Sequence, residues 1–193
     1  DFCRFDAIHY INTGGLKINP FQCEGCRLCE RICPVNAINS YKNNKNYWYV
    51  SNTRLGKLVH AKMGTGEDNS GKLVTKIRSR AREIAKEQNA DFIINDGPPG
   101  IGCPVISSLS GTNIVLLVIE PTKSGLHDIK RLIELVNTFM ASMYAVINKF
   151  DVNNKVAIDI ENHLIANNIP LLAKISFHTD MVKAMIEGKT IVE

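Results

Sequence analysis

The chain of 193 residues has a formal net charge of +4, with 45% hydrophobic and 22% charged residues. These values are ordinary for a globular protein that buries a core, and the small basic excess does not by itself favour nucleic acid or a membrane surface as a partner. No apolar run approaches the roughly 18 residues of a membrane span, and no signal-peptide pattern is present, so we expect a cytoplasmic protein without a membrane span.

Cysteines dominate the first part of the chain, where Gly, Pro, Asn and Cys predict only short elements up to residue 40. Five of the six cysteines fall in the first 33 residues, which favours a metal site over disulfides when no export signal is present. Cys23, Cys26, Cys29 and Cys33-Pro follow the spacing of bacterial-type ferredoxins, which hold [4Fe–4S] clusters with thiolates. A zinc site is the alternative, although such sites usually pair two CxxC-type elements across a longer spacer.

A short internal repeat assigns a function to Cys3. The stretches that begin at Cys3 and Cys33 both read Cys-x-x-(Asp/Asn)-Ala-Ile, 30 residues apart. In two-cluster ferredoxins the fourth cysteine of the motif binds the other cluster. We therefore predict that Cys3 completes the cluster held by Cys23, Cys26 and Cys29. Cys33 is then expected to serve a second cluster whose other ligands lie upstream, so the sequence is interpreted as a fragment.

Hydrophobic patterning predicts the remaining elements. A β-hairpin is expected over residues 41–63, with its turn near Ser51-Asn52. The later elements are a helix at 72–87, strands at 91–96 and 114–119, a helix at 125–140, a strand at 144–148, a helix at 154–167, a strand at 171–175 and a helix at 180–187 with Gly188 as its C-cap. This alternation predicts an α/β fold with a parallel sheet, helices on both faces and ligands at the carboxyl ends of the strands.

One segment nearly matches a phosphate-binding loop. Residues 66–73 read G-x4-G-K-L and precede the helix at 72–87. Leu73 replaces the hydroxyl that would bind Mg²⁺, and Glu67 and Asp68 would bring negative charge into a loop that cradles phosphates. We interpret the segment as a turn before a helix. The six basic residues of that helix are interpreted as a solvated face, with a nucleic-acid surface as the alternative.

Three loops that follow predicted strands are candidates for ligand binding. The loop at residues 96–100 reads Asp96-Gly97-Pro98-Pro99-Gly100, which could hold the Asp96 carboxylate near Mg²⁺ and phosphate. Asp-Gly-Pro is also a common turn sequence. Residues 148–151 read N-K-F-D, an element with which GTPases read guanine through Asn148 and Asp151. The loop at residues 120–125 is either a ligand loop or a helix entry capped by Thr122 or Ser124. Cys103, which stands alone, is expected to be a buried and inert thiol.

Taken together, these motifs resemble MinD/ParA-type P-loop ATPases with an inserted two-cluster ferredoxin domain. The resemblance runs over the whole chain and is carried by residues 23–34, 66–74, 96–104, 120–128 and 147–149. It implies an incomplete MinD-like (SIMIBI-class) P-loop fold with a small ferredoxin-like insert. Residues 1–42 would be the C-terminal half of that insert, and residues 43–193 the C-terminal portion of the nucleotide-binding domain. The Walker A loop, the early acidic switch and half of the ferredoxin would then be missing.

The resemblance also implies residue roles and a function. Asp96 would hold the water shell of Mg²⁺ and act in catalysis, residues 97–100 would sense the nucleotide, and Asn148 would touch the base. The full-length protein would use ATP, Mg²⁺ and two [4Fe–4S] clusters. It would form a homodimer and couple ATP binding or hydrolysis to electron transfer to a redox partner, or to delivery of iron–sulfur clusters to an acceptor protein. One alternative is an electron carrier whose NTPase half serves only as a scaffold. The other is a GTPase that uses Asn148 and Asp151. Because the phosphate loop is absent, no ATPase activity is expected of this chain by itself.

Overall fold

The computed structural model describes residues 2–12, 14–41, 46–64 and 71–192. The chain forms two units, Asp1–Gly97 and Pro98–Glu193. The boundary predicted after residue 42, between the ferredoxin part and the nucleotide-binding part, stays a prediction.

Short elements form the cysteine-rich start of the first unit, as its broken sequence predicts. β1 (Ile8–Tyr10) pairs antiparallel with β2 (Leu16–Ile18), and α1 (Leu28–Ile32) follows. Gly14 and Gly15 lie between the two strands with φ of 77° and 146°. Residues with a Cβ rarely adopt these angles, so the glycines allow the chain to reverse between β1 and β2.

The predicted β-hairpin is present in the first unit. β3 (Tyr47–Thr53) pairs antiparallel with β4 (Gly56–Lys62) along the full length of both strands. The turn falls at residues 54–55, later than predicted, because Ser51 still pairs with Leu58 in the ladder.

A long helix follows the hairpin. α2 (Gly71–Glu87) confirms the helix predicted from residue 72, and it packs against β4. Val74 and Ile84 of this helix are buried. The ammonium of Lys76 in α2 lies 5.7 Å from the ring centroid of Trp48 in β3. Residues 66–70 of the phosphate-loop-like segment lie outside the described residues.

The segment at residues 91–96 does not form the predicted strand. Phe92 is 86% exposed and Ile94 is 94% exposed, and the segment has no regular secondary structure. A strand requires a hydrogen-bonded neighbour, and no described strand pairs with this segment. The apolar composition of the segment led to the prediction of a strand, but composition does not encode which strand would pair with it.

The second unit is built on a parallel sheet. β5 (Ile114–Ile119), β6 (Ser142–Asn148) and β7 (Leu171–Ile175) lie in the order β5-β6-β7. The helices of this unit are α3 (Cys103–Leu109), α4 (Lys123–Asn137), α5 (Asn154–Ala166) and α6 (Thr179–Ile186), with a 3₁₀ helix at Phe150–Val152. Neither α3 nor the 3₁₀ helix was predicted, because seven and three residues are too few to show helical periodicity.

The core of the second unit lies on one face of this sheet. Leu117 and Ile119 of β5, with Ala145 and Ile147 of β6, are buried together with residues of α4 and α5. α3 packs against α4 through a smaller cluster that contains Val136. The helices α3, α4 and α5 therefore cover the face of the sheet towards which these buried strand side chains point.

The opposite face of β5 is exposed, so the predicted cover of helices on both faces is wrong for this strand. Side chains alternate between the two faces of a strand, and Ile114, Leu116 and Val118 point away from the buried ones. They are 64%, 51% and 64% exposed. A continuous apolar run predicted cover on both sides, and the described residues supply it on one.

Helix ends follow the local chemistry of the sequence. The Thr122 hydroxyl oxygen accepts the Gly125 N–H at 2.9 Å, which confirms the predicted cap at the entry of α4. A Cβ at Gly125 would collide with the Glu120 carbonyl oxygen, so this tight entry requires glycine. Gly188 follows α6 with φ of 68°, as predicted for its C-cap. No helix among the described residues is both long enough and apolar enough to cross a bilayer.

Candidate metal centre

Four thiols of the first unit line one cleft. They belong to Cys3, Cys23, Cys26 and Cys29, whereas Cys33 is not part of the lining. The cleft and the open solvent at its mouth together occupy about 450 Å³. The other lining residues are Phe2, Arg4, Phe5, Ala7, Ile8, Ile18, Glu24, Arg27 and Leu28. Free thiols against largely apolar walls are a donor set that suits an iron–sulfur cluster.

The arrangement of these thiols differs from a site for one ion. Among the described residues, no three His, Cys, Asp or Glu side chains are grouped so that they could hold a single metal ion. In a [4Fe–4S] cluster each thiolate binds a different iron atom, so the thiolates stand farther apart than the ligands of one ion. The four cysteines share a cleft rather than a single-ion coordination geometry, and their role as ligands stays a prediction.

Left-handed backbone shapes the loop that carries the three closely spaced cysteines. Gly25, between Cys23 and Cys26, has φ of 60°, and Arg27 has φ of 62° immediately before α1. The Cys23 N–H donates to the Asn19 carbonyl oxygen at 3.1 Å, which ties the loop to the end of β2. These features turn the chain tightly between successive cysteines.

The turn that follows Cys3 directs a backbone donor at its sulfur. The Ala7 N–H donates to Cys3 Sγ at 3.4 Å, and the Asp6 N–H donates to the Cys3 carbonyl oxygen at 3.4 Å. Asp6 has φ of 46°, a left-handed conformation that Asp and Asn tolerate better than most residues. Ala7 is buried, whereas Arg4 and Asp6 of the same turn are exposed.

The turn that follows Cys33 repeats this geometry. The Ala37 N–H donates to Cys33 Sγ at 3.2 Å, and Asn36, with φ of 50°, donates its N–H to the Cys33 carbonyl oxygen at 3.2 Å. The N–H groups of Ala37 and then Val35 lower the pKa of the Cys33 thiol. Ala37 is exposed, unlike its counterpart Ala7. The sequence repeat is therefore a structural repeat, with one copy packed and the other open.

Glu30 of α1 ties the end of the cysteine-rich segment to its helix. Its carboxylate accepts the Ser40 hydroxyl at 2.7 Å, the Ser40 N–H at 3.0 Å and Arg27 Nε at 2.9 Å. The hydroxyl and N–H of Ser40, together with Arg27, lower the pKa of Glu30 to about 2. No sequence motif pointed to Glu30, because a bond between surface residues ten positions apart leaves no periodic signal.

The candidate nucleotide residues are divided between the two units. Asp96 and Gly97 end the first unit and are exposed, and residues 98–102 lead into α3. Gly100 has φ of 89°, so the turn at this position requires glycine. Cys103, at the first residue of α3, is exposed, and the prediction of a buried thiol is wrong because this loop leaves the start of α3 uncovered.

Two polar contacts join the loops at the carboxyl ends of β5, β6 and β7. Lys149 Nζ donates to Glu120 Oε1 at 2.6 Å, which links the loops after β6 and β5. Asp151 Oδ1 accepts the Phe177 N–H at 2.8 Å, which links the loops after β6 and β7. Asn148 is half-buried at the last residue of β6. Asn148 and Asp151 thus lie at the predicted edge, and the carboxylate of Asp151 has a structural partner.

Comparison with known proteins identifies relatives of the whole chain and of its cysteine-rich part. Residues 16–39 match a family described as "4Fe-4S binding domain". The uncharacterized protein MJ0578 of Methanocaldococcus jannaschii is 37% identical over 197 residues, which cover 97% of this chain and 68% of that protein. The uncharacterized protein MJ0579 of the same organism is 27% identical over 133 residues, covering 68% of this chain and 46% of that protein. Pyruvate synthase subunit PorD, also from this organism, is 41% identical over 44 residues, covering 23% of this chain and 51% of that subunit.

Proposed function

The chain belongs to the family of the uncharacterized protein MJ0578 and contains a 4Fe-4S binding domain, and on this premise we propose that it is an electron carrier for a redox partner. The similarity to a subunit of pyruvate synthase supports a function of this kind. A [4Fe–4S] cluster supplies a redox centre whose potential depends on hydrogen bonds to its sulfurs and on solvent exposure.

Cys3, Cys23, Cys26 and Cys29 would hold that cluster. The observation that carries this assignment is their common cleft, which Cys33 does not line. The largely apolar walls would contact the cluster, and the Ala7 N–H would donate to the thiolate of Cys3. Cys33, with its own N–H donor and its open turn, would remain available to a second cluster.

Anaerobic reconstitution tests the ligand set. The chain should load about four iron atoms, as expected for one complete set of thiolates. Cys3→Ala should lose most of the bound iron and the cluster absorbance, whereas Cys33→Ala should retain both. Cys103→Ala, which removes a thiol of the second unit, is the matched control and should behave like the unaltered chain.

Three results would contradict the assignment. About eight iron atoms per chain would require a second complete ligand set. One zinc ion per chain in place of iron would favour the single-ion alternative. Loss of the cluster in Cys33→Ala, with retention in Cys3→Ala, would reverse the roles of the two repeat cysteines.

The second part of the proposal concerns nucleotide. In the full-length protein, Asp96 and residues 97–100 would respond to ATP and Mg²⁺, Asn148 would touch the base, and a homodimer would couple this response to the redox partner or to an iron–sulfur acceptor. The links between the carboxyl-end loops through Lys149 and Asp151 support a joint response of these loops. The bond from Phe177 N–H to Asp151 favours a structural role for this carboxylate over guanine reading. Competition between ATP and GTP for binding to the full-length protein tests this part, and a preference for GTP would overturn it.

A further inference from the structure

Lys72 connects α2 to the cysteine loop. Its Nζ donates a hydrogen bond to the Gly25 carbonyl oxygen at 3.1 Å, across 47 positions of the sequence. Gly25 lies between Cys23 and Cys26, two of the four cysteines that line the cleft. Lys72 is also the lysine of the phosphate-loop-like segment, and the motif did not predict that this lysine contacts the cysteine loop.

The start of α2 is held in place within the first unit. Val74, two residues after Lys72, is buried, and α2 packs against β4. One turn further on, the ammonium of Lys76 lies over the ring of Trp48 in β3. The packing of α2 therefore fixes the backbone position of Lys72, from which its side chain extends to the cysteine loop.

The ammonium of Lys72 meets a neutral group in this contact. Arg27, which also lines the cleft region, has its charge offset by the Glu30 carboxylate at 2.9 Å. The Gly25 carbonyl carries no net charge, so this hydrogen bond does not itself neutralise the positive charge of Lys72. A cluster becomes more negative when it accepts an electron, and a nearby cation stabilises that reduced state more than the oxidised one.

We propose that Lys72 is a positioning residue for the iron–sulfur site: it fixes the Gly25 carbonyl within the cysteine loop and raises the reduction potential of the cluster held there. This inference rests on the proposed iron–sulfur function. It also explains why a lysine stands at this position although the loop before it lacks the features of a phosphate site.

The test compares the midpoint potentials of reconstituted chains, titrated with dithionite and followed by electron paramagnetic resonance. Lys72→Met should lower the potential, with a reduction equilibrium constant that falls about two- to fivefold, the range expected for an exposed charge. Lys72→Gln, which keeps a donor without the charge, should also lower it, and Lys72→Arg should restore it. Lys76→Met removes the same charge one turn along α2 and should leave the potential nearly unchanged.

The outcomes separate this inference from the proposed function. An unaltered chain that loads no iron would defeat the proposed function itself. If Lys72→Met loads about four irons and keeps the potential of the unaltered chain, the role of Lys72 is overturned while the iron–sulfur function stands. If neither uncharged variant loads iron, Lys72→Arg decides: iron loading with an unchanged potential in that variant would support a charged donor at this position, and failure to load iron would overturn the proposal.

Discussion

Glu30 illustrates how a single half-buried residue organises the segment around α1. The pKa of a glutamate without these contacts is 4.5, whereas in the folded chain Ser40 and Arg27 lower it to about 2. Because the folded-state pKa is the lower one, the ionised carboxylate contributes stability at pH values above 4.5. That contribution is lost as the pH falls from about 4.5 towards 2.

We therefore predict that Glu30→Gln lowers the free energy of unfolding at pH 7 and that its difference from the unaltered chain narrows towards pH 3. Urea unfolding at a series of pH values measures this difference. Ser40→Ala removes the partner of the same carboxylate and should show the same trend, and the double variant should add little to either single one. A difference that stays constant down to pH 3 would contradict the assignment of the bonds to ionised Glu30.

At the residue scale, sequence patterns correspond to structure where the determining interactions are local. The repeat Cys-x-x-(Asp/Asn)-Ala-Ile describes a complete turn, and the structure forms that turn after Cys3 and again after Cys33. The position of Asp or Asn in the repeat is explained by its left-handed backbone. The bonds from Glu30 to Ser40 and from Lys72 to Gly25 join residues that are distant in sequence, and no local pattern indicates such partners.

At the scale of secondary structure, β5 is an edge strand with one uncovered apolar face. Its outward side chains are more than half exposed, and it pairs with β6 on one side only among the described strands. The sequence predicted the strand itself, because six successive apolar residues suit a sheet. The packing of the whole chain decides which elements cover the two faces of β5. The apolar run by itself does not specify this cover.

An exposed apolar face on an edge strand promotes self-association, and charged side chains on such strands suppress it. Changing Leu116 and Val118 together to Lys should reduce concentration-dependent association, measured by light scattering, with little loss of thermal stability. Leu117→Lys is the matched control on the same strand. Leu117 is only 2% exposed, so this change should lower the free energy of unfolding by roughly 3 kcal/mol or more. If the double variant unfolds as readily as Leu117→Lys, the outer face of β5 is covered in solution.

At the scale of the whole molecule, the sequence supported two kinds of inference. Cysteine spacing is a chemical constraint within one loop, and both the common cleft and the match to a 4Fe-4S binding domain agree with it. Element alternation after residue 100 also predicted β5, β6 and β7 in a parallel sheet. The segment at 91–96 has the composition of a strand but no described partner, because strand pairing joins residues that are distant in sequence. The resemblance to MinD/ParA-type ATPases also depends on contacts between segments that are distant in sequence, and it stays a proposal.

The final prediction concerns catalysis by the 193-residue chain, which should release no phosphate from Mg²⁺-ATP. A phosphate loop needs a lysine that reaches the β- and γ-phosphates and a hydroxyl for Mg²⁺. In this chain Leu73 stands at the hydroxyl position, and Lys72 is engaged with the Gly25 carbonyl of the cysteine loop. Phosphate release by the reconstituted chain under anaerobic conditions measures the activity, with Lys72→Met as the control. Turnover that Lys72→Met abolishes would identify the segment from Gly66 to Lys72 as a phosphate loop after all. Turnover that survives in Lys72→Met would contradict the prediction and would place a different phosphate site in the chain.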